Sequence, residues 1–240
     1  MIRWIYAFID RPLDRFEAAA EFWTTVTGST LSARRGGLGE FATLLPADGD
    51  PCLKLQGVHT GGGAHLDLAV TDVPAAGRAA EAAGSTLVAD HGGYAVHRSP
   101  AGQLFCFVPW HGEAARPAGH THPDGDRSRL DQVCVDIAPS AYDTEVLFWQ
   151  ALTGWTPRRG ELPEFRLLRP DGPGAVQILL QRLATERPGT AHLDLACSDV
   201  ASATRWHQAC GASPVGRWPH WQVMRDPAGG TYCLTRRTPH

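Results

Sequence analysis

No apolar stretch in this sequence approaches the roughly 18 residues that span a bilayer as a helix, so no membrane partner is expected. Positive charge is also scarce. The 22 Lys and Arg are outnumbered by 25 Asp and Glu, and the net charge is −3. The Arg34-Arg35 and Arg236-Arg237 pairs read as solvated surface, and no nucleic-acid partner is expected. A phosphate-binding Walker loop and a nucleophile elbow are both missing. The Gly61-Gly62-Gly63 run precedes a strand pattern instead of opening a helix, and reads as a turn. None of the six cysteines belongs to a CxxC pair, and most lie in apolar runs, which points to buried thiols rather than disulfides or a zinc cage. The opening residues Met1 to Tyr6 are too short and polar a stretch for a signal peptide and read as a first strand, so a cytoplasmic location is expected.

What is present is a repeat. Phe22-Trp23 with Thr27-Gly28 recurs as Phe148-Trp149 with Thr153-Gly154, 126 residues on. The hexapeptide Ala64 to Ala69 (AHLDLA) recurs unchanged as Ala191 to Ala196, 127 residues on. Pro100-Ala101-Gly102 returns as Pro227-Ala228-Gly229, with Cys106 and Cys233 six residues beyond each proline. Ordered landmarks at a near-constant offset mark a duplication. The chain therefore divides into modules at 1–110 and 129–240, with a linker at 111–128 rich in Gly, Pro, His and Asp. His111, His120 and His122 read as solvated linker residues.

Each copy alternates strand and helix patterns. Residues 2–9 read as a strand and 14–26 as a helix buried through Phe16, Ala19, Ala20, Trp23 and Val26. Strands follow at Phe41–Leu45, Cys52–Gln56 and His65–Val70, then a helix over Val73–Ala83 with Asp72 as N-cap and Gly84 closing it. Thr86–Ala89, Tyr94–Arg98 and Leu104–Val108 complete the unit, the last two turning at Ser99 to Gly102. Trp23 and Trp149 read as core anchors.

The FW…TG helix ends, the paired AHLDLA strands and the SPAGQLFCF and DPAGGTYCL hairpins together resemble the vicinal oxygen chelate superfamily, and within it the glyoxalase-like domains. The resemblance implies an α+β fold of two tandem modules, each of paired βαβββ units whose curved mixed sheets form a cup. In glyoxalase I, extradiol dioxygenases, fosfomycin-resistance enzymes and bleomycin-binding proteins that cup holds a metal or a ligand. Metal-dependent members place His, Gln or Glu on the first strand, His or Glu on a middle strand and Glu on the last.

Against that pattern the first copy is depleted. Ile2 to Ile9 holds no His, Gln or Glu, Cys106 takes the last-strand position, and His65 alone matches. The second copy offers Asp131, Gln132, His192, Gln177 and Gln181, again with a cysteine, Cys233, at the end. The expectation is no cofactor, with Gln132 and His192 as the ligands if a divalent metal binds. Asp67 and Asp194 lie two residues beyond the histidines and share their strand face, which makes His65 and His192 candidate acid–base groups oriented by carboxylates. The other reading is that both histidines are scaffold.

The eight tryptophans exceed the needs of a core. Trp4, Tyr6, Tyr94 and Trp221, with Trp206, Trp218 and Tyr232, are candidates for apolar cup walls. Gln56, Gln132 and Gln181 are candidate polar contacts to a ligand. Arg98 and Arg225 stand at equivalent positions where each either grips a carboxylate or pairs locally. His97 (Met224 in the second copy), with His91, marks the first cup. The leading expectation is a protein, monomeric or homodimeric, that binds a small apolar or aromatic metabolite or antibiotic without a metal. The competing one is a lyase, isomerase or dioxygenase working through His192 or His65. A third is a scaffold acting through protein contacts.

Overall fold

The computed structural model describes residues 1–59, 62–170 and 176–239. Gly61 of the glycine run lies outside them. The first copy runs β1 (Ile2–Pro12), a single 3-10 turn (Leu13–Arg15), α1 (Phe16–Thr27), β2 (Thr30–Leu31), β3 (Phe41–Leu45) and β4 (Leu53–Val58). It repeats the plan as β5 (Gly63–Val70), α2 (Val73–Ala82), β6 (Thr86–Asp90), β7 (Ala95–Arg98) and β8 (Leu104–Pro109). After the short β9 (His120–Thr121), the second copy follows the same course. It comprises β10 (Arg127–Ile137), α3 (Tyr142–Thr153), β11 (Arg158–Arg159), β12 (Phe165–Leu168), β13 (Gln177–Arg182), β14 (Thr190–Cys197), α4 (Val200–Ala209), β15 (Ser213–Arg217), β16 (Trp221–Arg225) and β17 (Thr231–Arg236). These are the paired βαβββ units that the family resemblance implied.

The strand order is β2-β3-β4-β1-β5-β8-β7-β6 in one sheet and β11-β12-β13-β10-β14-β17-β16-β15 in the other, with β9 paired to β10. Within each, β5 runs parallel to β8 and β14 to β17, while the flanking hairpins are antiparallel. Local chemistry sets the element ends. Gly28 and Gly154 close α1 and α3 in the left-handed region, with φ of 62° and 71°, which a side-chain-bearing residue enters only with strain. The Asp72 and Asp199 carboxylates cap α2 and α4 by accepting from the backbone N–H of Ala75 (2.8 Å) and Ser202 (2.7 Å).

Contacts group the chain into two compact units, each drawing segments from both copies. One comprises Met1–Ala7, His65–Ala114 and Val133–Ala191, the other Phe8–Ala64, Ala115–Gln132 and His192–His240. In the first unit, Phe148 and Trp149 of α3 pack on Phe105 of β8, with ring centroids 5.8 and 5.3 Å apart. In the second, Phe22 and Trp23 of α1 pack on Tyr232 of β17 at 5.9 and 5.0 Å. Trp23 and Trp149 are fully buried, as their repeat positions suggested. All six cysteines are free thiols, four of them buried.

The segment 111–128 departs from a solvated tether. His120 lies opposite Ser128 in the β9–β10 pairing, and His122 is buried with Nε2 2.7 Å from the Ser128 hydroxyl. A buried imidazole needs such a partner, and the strand pairing supplies it. Among the described residues no helix is long and apolar enough to cross a membrane.

Candidate functional site

Strand register sorts the candidate residues by face. Asp194 lies opposite Cys233, Cys233 opposite Val223, and Thr235 opposite Trp221. Paired residues project to the same side, and so do residues two apart along a strand. Hence His192, Asp194, Cys233, Val223 and Trp221 share one face, while the buried Leu193, Leu195, Tyr232 and Met224 take the other. The first copy repeats this, with His65, Asp67, Cys106 and Val96 on one face and Leu66, Phe105 and His97 on the face that meets α2.

In the second copy the polar floor is a continuous chain. His192 Nε2 lies 3.4 Å from Asp194 Oδ1. Gln132 Nε2 donates to Asp194 Oδ2 at 2.7 Å, and Gln132 Oε1 accepts from Arg237 Nη1 at 3.1 Å. Arg237 Nε reaches Asp131 Oδ2 at 2.9 Å, and Arg116 Nη2 reaches Asp131 Oδ1 at 3.1 Å. The two ends fix the Gln132 amide in one orientation, since only its nitrogen can donate to Asp194 and only its oxygen can accept from Arg237. Cys233 closes the cluster, its sulfur with the His192 and Asp194 ligand atoms all within 4.8 Å of one another. Burial pushes its thiol up to about 11, which keeps it protonated at neutral pH.

The first copy has the matching triad. His65 Nε2 lies 3.6 Å from Asp67 Oδ1, and Cys106 joins them within the same 4.8 Å. The position of Gln132 is held by Tyr6 and that of Arg237 by Trp110. Tyr6 donates its hydroxyl to the Glu113 carboxylate, Trp110 Nε1 donates to the Glu113 carbonyl at 3.0 Å, and Arg3 lies over the Trp110 ring. Burial raises the Glu113 carboxyl, but the Tyr6 hydroxyl and backbone N–H groups outweigh it and hold it below its ordinary value.

Each floor is flanked by a stacked aromatic pair at a hairpin tip. Trp218 and Trp221 lie nearly parallel, at 8° and 5.6 Å between centroids, with Trp218 46% exposed. His91 and Tyr94, at the equivalent positions, stack at 15° and 4.5 Å.

Several candidates lie elsewhere. His97 does not face the floor: strand alternation turns it inward, where it is buried against Phe105 with Nδ1 3.3 Å from the Ser85 hydroxyl. Burial lowers its pKa. Tyr232 is buried on the helix side, bonded to His207 Nδ1 at 2.8 Å, and Trp206 sits on α4 beside His122. Trp4 is buried on β1, and Gln56 is half-buried on β4 opposite Phe41. Gln181 accepts from the Cys134 thiol in the first unit, whereas Gln132 and His192 belong to the second. Arg98 and Arg225 are exposed and donate to the carbonyls of Gly102 and Gly229, each at 3.3 Å. Sequence reasoning missed Arg116 and Glu113 and took Arg237 for solvated surface. Their partners are long-range in the chain, and no local pattern announces them.

Each His–Asp–Cys cluster could hold a metal ion, but its donor set differs from that of a non-haem iron site. Such a site takes two imidazoles and a carboxylate. Each cluster has one imidazole, one carboxylate and a thiol, and the second Asp194 oxygen is committed to Gln132. Each cluster sets an imidazole beside a carboxylate on a largely buried face, 3.4 Å apart in the second copy and 3.6 Å in the first.

The comparisons place the chain by family. The Glyoxalase-like domain signature matches twice, over residues 7–108 and 132–235. No curated protein matches. Among solved structures, a 4-hydroxymandelate synthase mutant from Streptomyces coelicolor superposes with TM-score 0.64 at 16% identity, covering 100% of this chain and 94% of that one. The 2,2',3-trihydroxybiphenyl 1,2-dioxygenase of Sphingomonas wittichii strain RW1 gives 0.65 at 16%, covering 98% and 91%. The 2,3-dioxygenase LapB of Pseudomonas sp. KL28 gives 0.66 at 13%, covering 98% and 92%. The chain spans about half (49%) of a xylose isomerase-like TIM barrel/4-hydroxyphenylpyruvate dioxygenase fusion protein. At these identities the likeness is one of fold. With both copies matched, the chain belongs to the glyoxalase-like domain family.

Proposed function

We propose that this protein binds a small planar, apolar or aromatic molecule on the helix-free face of its sheets, without a bound metal. The observation that carries the reading is the pairing of a His–Asp–Cys floor with a stacked aromatic pair at the adjoining hairpin tip, once in each copy. Partly exposed, parallel rings offer a planar ligand area to stack on, and a few oriented polar groups set its direction. The solved neighbours named for dioxygenases of aromatic compounds fit a ligand of this class. Tryptophan fluorescence tests it. Titration with 1-naphthol should quench emission saturably, and Trp221→Ala should weaken binding about tenfold. Linear, unsaturable quenching would end the proposal.

A second reading, an enzyme of the lyase, isomerase or dioxygenase type, is favoured by the Arg116–Asp131–Arg237–Gln132–Asp194 chain that ends on His192. In it His192 is the acid–base group and Asp194 orients it. Elemental analysis of untagged protein separates a metal-assisted version from a metal-free one.

A further inference from the structure

A second site lies in the second unit, on the sheet face opposite its floor. Within the second unit, Val26 of α1, Leu44 of β3, Leu53 of β4 and Leu195 of β14 wall a cavity of about 50 Å3, whose polar end is made by His120 and Arg129. Leu195 lines this cavity while its neighbour Asp194 belongs to the opposite face, so the two sites are separate. The volume, at ~10–15 Å3 for each water-sized group, holds about three to five non-hydrogen atoms.

Arg129 is what makes the cavity more than a packing gap. Its Nε is buried and, among the described residues, has no hydrogen-bond partner, while Nη1 donates to the Pro117 carbonyl at 3.3 Å. Among the described residues no carboxylate lies within ion-pair distance of it. The nearest candidate, Asp131, is held by Arg116 and Arg237. Burial and the Arg116 charge lower the Arg129 pKa to about 10, which still leaves it cationic at neutral pH. A half-buried guanidinium with an unused edge is a forked donor that matches a carboxylate. His120 is neutral near pH 7, because burial lowers its pKa, and so adds a hydrogen bond without a second charge.

We infer that this cavity binds a short-chain monocarboxylate of two to three carbons, its carboxylate on Arg129 and its alkyl end against Val26, Leu44 and Leu53. The apolar walls discriminate against inorganic anions, which have no group to place there. The site is independent of the aromatic-ligand reading above.

Ligand-observed NMR with propionate at constant ionic strength tests this. Saturable binding is expected, at least tenfold weaker in Arg129→Gln. Ala118 is exposed at the lining, so Ala118→Phe should block entry while leaving the unliganded melting temperature unchanged. Unsaturable binding, equal affinity in Arg129→Gln, or inorganic phosphate competing as well as propionate would each overturn the inference.

Discussion

Trp23 and Trp149 occupy the same place in the two copies, yet their indole nitrogens are satisfied from opposite directions. Trp23 Nε1 donates at 3.0 Å to Asp226, which sits on the hairpin turn, while the helix position equivalent to Glu145 is Ala19. Trp149 Nε1 donates at 2.8 Å to Glu145 on its own helix, and the hairpin position equivalent to Asp226 is Ser99, itself bonded to Glu145. The same exchange occurs a second time. The first copy buries a histidine on its hairpin, His97, and has Ala80 at the helix position equivalent to His207. The second buries His207 on the helix and places Met224 on the hairpin. A buried donor demands an acceptor, but physics does not specify which element brings it. The copies diverged by moving polar groups across a contact while keeping the contact satisfied.

The exchange is unequal in charge. Asp226 also holds the buried Arg11, with Arg11 Nη2 and Nε both 2.7 Å from Oδ2. Gly230 leaves room for that guanidinium, since a Cβ there would collide with it. Glu145 has hydrogen bonds but, among the described residues, no cation, and burial raises its pKa. Asp226→Ala, which strands Arg11, should therefore cost about 3–5 kcal/mol in urea unfolding. A loss under 1 kcal/mol would show that Arg11 finds another partner.

The histidine exchange gives the next largest effect. His207 is held down to about 3 by burial, with the nearby His122 and His120 charges adding to it. A histidine depressed on folding contributes stability above its unfolded pKa of about 6.5 and loses it as pH falls toward the folded value. From pH 6.5 to 5 the loss should be ~2 kcal/mol, and His207→Gln should remove that slope. Glu145, shifted upward, acts with the opposite sign: its share is full below its unfolded value and fades as pH rises. Glu145→Gln should thus change stability at pH 7 by only about 1 kcal/mol and steepen the loss on the acid side. A cost as large as that of Asp226→Ala would erase the distinction between the two sides.

The smallest effect concerns the floors. Asp194→Asn should move the His192 titration downward in NMR and disturb the Gln132 side-chain amide signals. Asp67→Asn should move His65 and leave the Gln132 signals unchanged, because Gln132 is bonded to Asp194 and Arg237. Equal responses in both copies would mean that the chain does not act on His192.

Much of this was legible in the sequence. The strand over Phe41–Leu45 lies as the alternation indicated, and the Asp72 cap follows from residue type. The His–Asp pairs follow from a spacing of two on a strand. Helix and strand ends shifted where backbone chemistry intervened, as at the 3-10 turn Leu13–Arg15 that delays α1 to Phe16. Face assignment was the weaker step. The parity that places Cys106 and Cys233 on one face puts His97 and Tyr232 on the other, and composition alone cannot reveal it. The Arg237–Gln132 bond, 105 residues apart in sequence, and the burial of His122 depend on tertiary packing that no local pattern encodes.

The central claim, ligand binding without a metal, is tested most directly by calorimetry of 1-naphthol binding to untagged protein before and after chelation, with metal content measured on the same samples. The account predicts substoichiometric metal and the same affinity in both. A stoichiometric metal whose removal abolishes binding would contradict it.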